Sequence, residues 1–203
     1  MRSKRTRLVL ITIWLLLGPA GTLARDRTRL FPKTMEVVYR EAEESEPNTF
    51  TLGRNGTGLC EWGLFKIDLY EAALYLQKPS NKEREVIESN QVKHLELRFL
   101  RDLSRKQMRR AYSASFRANT EDDPEPYQER IDRFVRLIPG VKRGDRLAFT
   151  CFPGRGLKIH LGKTLLGTIP GDDFGRLFMR LYVGPIPPTQ AVRKGLLGLS
   201  GED

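Results

Sequence analysis

The stretch DRLAFTCFPGRGLKIHLGKTLLGTI, residues 145–169, decides the fold class. Its apolar residues recur with a period of two in three short runs, Leu147 to Phe152, Leu157 to Leu161 and Leu165 to Ile169. That alternation marks strands whose two faces meet different surroundings. The joints, Pro153-Gly154-Arg155-Gly156 and Gly162-Lys163, are turn residues too few to hold a helix, so the three runs read as a meander. Gly154-x-Gly156 is a turn and not a phosphate loop, because a strand rather than a helix follows it.

Upstream the period changes. Ser104 with Gln107 three residues on makes a capping box, which predicts a helix from there to about Asn119, ended by Asp122-Asp123-Pro124. A second helix, from about Pro126 to Ile138, carries Ile131, Phe134, Val135 and Ile138 on one face and stops at Pro139-Gly140. Still further upstream, two-residue alternation returns. From Leu64 to Leu76 the odd positions Phe65, Ile67, Leu69, Ala73 and Tyr75 are apolar and Lys66, Asp68 and Tyr70 more polar. From Val92 to Leu100, Leu95, Leu97 and Phe99 alternate with His94, Glu96 and Arg98, which puts His94 on the solvent side. Met35 to Tyr39 and Thr49 to Leu52 are short strands, Asn55-Gly56-Thr57-Gly58 is a turn, and Lys82 to Glu88 is a solvated charged face. Downstream of the meander, Asp172 or Asp173 caps a helix carrying Phe174, Leu177, Phe178, Leu181 and Tyr182, and Pro185 to Pro188 breaks it before a last short helix leading to Gly195 through Gly198. Strands, helices, strands, helices in that order give an α+β open sandwich, an antiparallel sheet with helices packed on one face.

The 203 residues suffice for one domain plus a short appendage. The appendage is Met1 to Ala24: a basic start, an apolar run of ten residues from Leu8 to Leu17, then Thr22 and Ala24 at the small-residue places of a cleavage site. This is the pattern of a secretory signal peptide cut after Ala24, and a run so much shorter than the ~20 residues of a spanning helix makes an uncleaved anchor the weaker reading. A periplasmic or secreted protein is expected, with no transmembrane segment after processing. The chain then divides into 1–24, the leader, 25–52, a polar segment with short strands, and 53–203, the main domain. The formal charge is +10, yet four of the 35 basic residues sit in the leader, and the 31 that remain face 25 acidic ones, interleaved rather than striped. Nucleic acid is therefore not an expected partner. With His94 and His160 the only histidines and no cysteine pair at ligand spacing, no metal or cofactor is expected. Export leaves two readings for Cys60 and Cys151: a disulfide closing a loop of about ninety residues, or two buried thiols acting as small apolar side chains.

From about Gly53 to Gly198 the chain resembles the chalcone isomerase superfamily, in its exported bacterial chalcone-isomerase-like branch. The resemblance rests on Asn55-Gly56-Thr57-Gly58, Phe65-Lys66 to Leu76, Phe99-Leu100-Arg101-Asp102, Lys142-Arg143-Gly144-Asp145, Leu166 to Gly171 and Leu181 to Pro185, in that order. It implies a large antiparallel sheet, helices on one face and a ligand cleft between them. Members include plant enzymes that close a chalcone ring and plastid relatives that bind fatty acids.

The resemblance also implies five cleft positions. Tyr112 and Asn119 match a tyrosine and an asparagine seven apart on a helix, a spacing that puts both on one face with Met108 and Ser115. At the other three, Cys60 stands where the enzymes carry an arginine, Tyr70 where they carry a strand threonine and Leu181 where they carry a late hydroxyl residue. Ring closure develops charge on an enone oxygen, and a thiol or an apolar side chain cannot stabilise it as an arginine does. The expected function is therefore non-catalytic binding of a small amphipathic or fatty-acid-like ligand by Tyr112, Asn119, Tyr70, Met108 and Ser115. The alternative is an intramolecular lyase using Tyr112 and Asn119, and a third reading is a structural protein whose cleft is filled by its own side chains. On the binding reading, Tyr112→Phe should weaken a ligand and barely change stability. If Tyr112 is instead a half-buried helix aromatic with its hydroxyl at water, ligand affinity should not change.

Overall fold

The computed structural model describes residues 30–40, 46–63, 66–120 and 125–199. The expected leader, Met1 to Ala24, lies outside them. Among the described residues seven strands form one sheet in chain order, every neighbouring pair antiparallel: β1 (Thr34–Tyr39), β2 (Asn48–Trp62), β3 (Ile67–Leu76), β4 (Lys93–Phe99), β5 (Arg146–Phe152), β6 (Gly156–Leu161) and β7 (Thr164–Ile169). Helix α1 (Glu83–Glu88) lies between β3 and β4, and α2 (Arg105–Asn119) and α3 (Gln128–Leu137) lie between β4 and β5. After β7 come α4 (Asp172–Val183) and α5 (Gln190–Leu196). The α+β expectation holds, and the short strands expected ahead of the main domain, 35–39 and 49–52, fall in β1 and the first part of β2 of the same sheet.

The main core lies between sheet and helices. β3 supplies Ala72, Leu74 and Leu76, β4 supplies Leu95, Leu97 and Phe99, and β5 supplies Leu147 and Phe149. Against them the helices bury Phe116, Phe134, Phe174 and Phe178. The rings of Phe149 and Phe178 have centroids 4.5 Å apart, and Phe134 touches both, a cluster whose contacts add about 0.5–1.5 kcal/mol per pair beyond area burial. From Ala72 to Leu76 the helix-facing positions of β3 are thus the even ones. The odd residues Ala73 and Tyr75 point the other way, into a second cluster with Phe31, Val37, Leu52, Val92 and Phe152. Both faces of the central strands are buried there, so hydrophobic alternation could not tell them apart.

That second cluster corrects the expectation for His94. The segment from Leu30 lies across the outer face of the sheet, tied down at both sides: Arg54 donates to the Phe31 carbonyl and Arg146 to the Leu30 carbonyl. Beneath it His94 is 6% exposed, its Nδ1 2.8 Å from the Thr150 hydroxyl. Flanking charges are paired across strands, Arg98 with Glu71 at 3.0 Å and Arg146 with Glu96. The polar residues of β4 face a largely covered layer rather than open solvent, and in it His94 Nε2 and the hydroxyl of the neighbouring Tyr75 are buried without a hydrogen-bond partner.

Three further local expectations change. Asn55 through Gly58 is not a turn but the middle of β2. The ladder with β3 is irregular between Arg54 and Gly56, and the Asn55 side chain donates to the Leu196 carbonyl at 2.8 Å and accepts from the Ser80 amide at 2.7 Å. The charged stretch from Lys82 forms α1 and buries Val86 and Ile87. At the start of α4 the cap position is Gly171, with φ of 97°. Asp172 accepts from the Gly154 amide and Asp173 pairs with Arg130 at 2.6 Å, so both aspartates are engaged in tertiary contacts rather than capping.

The cysteines are free and buried. Cys60 on β2 is level with Tyr70 and, through it, with Phe99 on β4; Cys151 on β5 is level with Lys93, at the other end of β4. Three strand spacings alone separate them by about 14 Å, twice the Cα distance a bridge can span. The disulfide alternative is therefore excluded by the register. Cys151 behaves as a small packing residue, its thiol 3.8 Å from the Gly175 carbonyl of α4.

Candidate functional site

Helix α2 starts as expected. The Ser104 hydroxyl accepts from the Gln107 amide and the Gln107 side chain accepts from the Ser104 amide at 2.8 Å, completing the capping box. The helix presents Met108, Tyr112, Phe116 and Asn119 inward. Its interior half is filled by Phe116. Its other half carries Ala111, Ala114, Ser115 and Ala118, and where these small residues face β3 and β4 a half-open cavity of about 410 Å³ remains. Leu69, Tyr70, Leu97 and Phe99 line its sheet side, Cys60, Glu61 and Trp62 come from β2, Tyr182 from α4, and Ile186 to Pro188 from the loop after α4. The irregularity between Cys60 and Glu61 leaves Leu69 without a partner on β2, and Leu69 packs against the same cluster as Tyr70. Two large apolar side chains stand exposed beside the opening, Trp62 at 69% and Ile186 at 50%.

Apart from Glu61, the polar side chains of the cavity wall are hydroxyls and a thiol. The Tyr112 and Tyr182 hydroxyls are 2.9 Å apart, and Tyr70 stands opposite Cys60 across the β2–β3 pair. Burial pushes all three tyrosines well above their ordinary range and raises the Cys60 thiol as well. All four therefore stay protonated at neutral pH. The arrangement can donate and accept hydrogen bonds, but none of these groups can act as an anion or a base there.

Of the residues singled out from sequence, Tyr70, Met108, Tyr112 and Ser115 line this cavity, together with Cys60. Asn119 does not. Its amide nitrogen donates to the Ser115 carbonyl at 3.0 Å and to the Ile186 carbonyl at 3.1 Å, so it holds the loop that forms one wall. Tyr112 is buried, its hydroxyl bonded inside the protein rather than at water. Sequence reasoning missed Tyr182, which reads as one more aromatic on an apolar helix face, and assigned the late hydroxyl position to Leu181. The hydroxyl at the cavity comes from the next residue, seventy positions from its partner, and nothing local in the sequence signals that pairing.

This pairing changes the outcome of Tyr112→Phe. The substitution leaves the Tyr182 hydroxyl buried without its partner, so stability should fall by about 1–3 kcal/mol. Adding Tyr182→Phe removes the stranded group and should restore most of the loss. Urea unfolding of the two single variants and the double variant checks this. Strictly additive losses would mean that the two hydroxyls are not coupled.

Comparison with known proteins agrees with this geometry. Nothing among the curated proteins matches the chain. Among solved structures, the crystal structure of an Arabidopsis thaliana fatty-acid binding protein superposes with a TM-score of 0.61 at 18% identity, covering 80% of this chain and 96% of that one. The sequence profile described as chalcone isomerase-like matches residues 34–198, which takes in all seven strands and both halves of the cavity. On that match, with the curled antiparallel sheet and its helical cover to carry it, the chain belongs to the chalcone isomerase-like family.

Proposed function

We propose that this is an exported, non-catalytic member of its family that binds a small single-chain amphiphile in the cavity between β2–β4 and α2. The observation that carries the reading is the cavity itself: about 410 Å³, walled by aliphatic and aromatic side chains with a few hydroxyls on one side. At roughly 30 Å³ per heavy atom of a condensed liquid, it holds on the order of fourteen heavy atoms, a tail of about ten carbons with a head group. Ten buried methylenes contribute about 8 kcal/mol before the cost of association, so micromolar affinity is the upper limit. The fatty-acid-binding relative of the same fold supports a lipid-like ligand. Binding is also favoured over ring closure by the lining: among the described residues it contains no cation to stabilise an enolate, and Asn119 is engaged in holding the wall. The hydrophobic leader supports export, with Arg25 as the mature amino terminus.

Native mass spectrometry of the purified mature chain tests the reading, the expected result being a co-purified amphiphile and an intact mass that begins at Arg25. Closure of naringenin chalcone above the spontaneous rate would overturn the non-catalytic assignment. Ala111→Trp places an indole in the cavity from an exposed helix position. It should weaken decanol binding at least tenfold, with Tm essentially unchanged because the ring enters existing space. Calorimetry on delipidated protein measures the first and thermal unfolding the second. Undiminished binding would place the ligand elsewhere.

A further inference from the structure

We propose that the cavity selects amphiphiles with an uncharged head group, an alcohol or a protonated acid, over the corresponding carboxylate anion. The inference rests on the binding reading above and names the ligand class for the same site. The titratable groups that line the cavity are Cys60 and Glu61 from β2, Tyr70 from β3, Tyr112 from α2 and Tyr182 from α4. β4 contributes Leu97 and Phe99, and the loop after α4 contributes Ile186 and two prolines, none of which titrates. The single ionic side chain among these described lining residues is an acid, Glu61. Of the arginines nearest in sequence to the β4 wall, Arg98 pairs with Glu71 on the opposite face of the sheet, and Arg101 lines a separate groove with Asp68, Asp102 and Arg143.

A carboxylate entering this site loses its hydration and meets hydroxyl and thiol donors but no cation among the described lining residues, whose one carboxyl side chain, Glu61, is of like kind. The desolvation of an ion in a low-dielectric site costs several kcal/mol when no opposite charge compensates it. A hydroxyl or a protonated carboxyl loses far less and can both donate and accept among the tyrosine hydroxyls and the thiol, which burial keeps protonated. A bound fatty acid therefore has its pKa raised above the free value. The sign follows: its affinity is full below the free pKa and is lost as pH rises through the bound one.

Calorimetric titration of the delipidated mature chain with decanol and with decanoic acid, each at pH 8 and pH 5.5, tests this. Decanol should bind equally at both pH values, which also shows that the protein is intact at the lower one. Decanoate should bind at least tenfold more weakly than decanol at pH 8 and gain at least fivefold at pH 5.5. Decanoate binding as tightly as decanol at pH 8 overturns the selectivity and leaves the cavity reading standing. Failure of both ligands to bind at either pH overturns the cavity reading itself, and the selectivity with it.

Discussion

Gly56→Ala should lower the free energy of unfolding by about 3 kcal/mol, at the upper end of what overpacking costs. A Cβ at Gly56 falls inside van der Waals contact of the Gly195 carbonyl oxygen and within 2.8 Å of the Gly198 amide nitrogen and the Leu196 carbonyl oxygen. All three are backbone atoms, with no side chain to rotate away. The clash is reciprocal, since a Cβ at Gly195 would press on the Thr57 carbonyl and stand 2.8 Å from the Gly58 Cα. Here β2 and α5 pack backbone against backbone, and Asn55 fastens the joint through the Leu196 carbonyl. To accommodate the methyl, α5 must lift, exposing Val192, Leu196 and Leu197, each now at most 1% exposed and worth about 1.5–3 kcal/mol when fully buried. Because α5 follows the Ile186 to Pro188 loop, decanol affinity should fall together with stability. Gly53→Ala on the same strand is the control: its Cβ meets Pro79 at an ordinary 3.4 Å and should change stability by no more than about 0.5 kcal/mol. Urea midpoints of the two variants decide the matter. Equal midpoints would mean that α5 is not seated on the glycines of β2.

Acidification should destabilise the protein through His94. Burial, assisted by the nearby His160, lowers its pKa from 6.5 to about 4. In the unfolded chain the imidazole takes up a proton near pH 6.5, whereas in the folded chain it stays neutral until about pH 4. Unfolding therefore binds a proton throughout that window, and stability falls as pH drops from 6.5 to 4 and levels off below it. The full drop corresponds to about 3 kcal/mol for this one group. Carboxylates add their own slope in the same range. The measurement is accordingly a comparison: wild type and His94→Gln followed by urea unfolding between pH 7.5 and 4, with the difference between the curves shrinking or reversing towards acid. Parallel curves would mean that His94 titrates alike in the folded and unfolded chain.

Much of this was legible from local chemistry. The two-residue period and the glycine turns of residues 145–169 specify a meander without any knowledge of neighbours, because side chains alternate across a strand regardless of what lies beyond. The capping box at Ser104 and Gln107 is equally local, and so is the stripe of Met108, Tyr112 and Ser115 that becomes one wall of the cavity. Tyr70 was found by resemblance, from its place on a long strand.

What only the tertiary structure decided are the properties that depend on who faces whom. Alternation shows that a strand has two faces but not which of them is wet, so His94 and the even-odd sense of β3 waited on the segment from Leu30 that covers the outer face. A glycine pair reads as a turn until a helix from 140 residues away is seen to need the space, as α5 does over Gly56. The fate of the cysteines followed from register, which separates Cys60 and Cys151 by three strands and most of the length of β4. The pairing of Tyr112 with Tyr182, and the diversion of Asn119 to a loop carbonyl, are hydrogen bonds between residues about seventy positions apart. Local sequence determines periods and caps because they arise within a few residues. The cavity's shape and its lining, without a cation among the described residues, arise where β2, β3, β4, α2 and α4 converge, and only the packed chain brings them together.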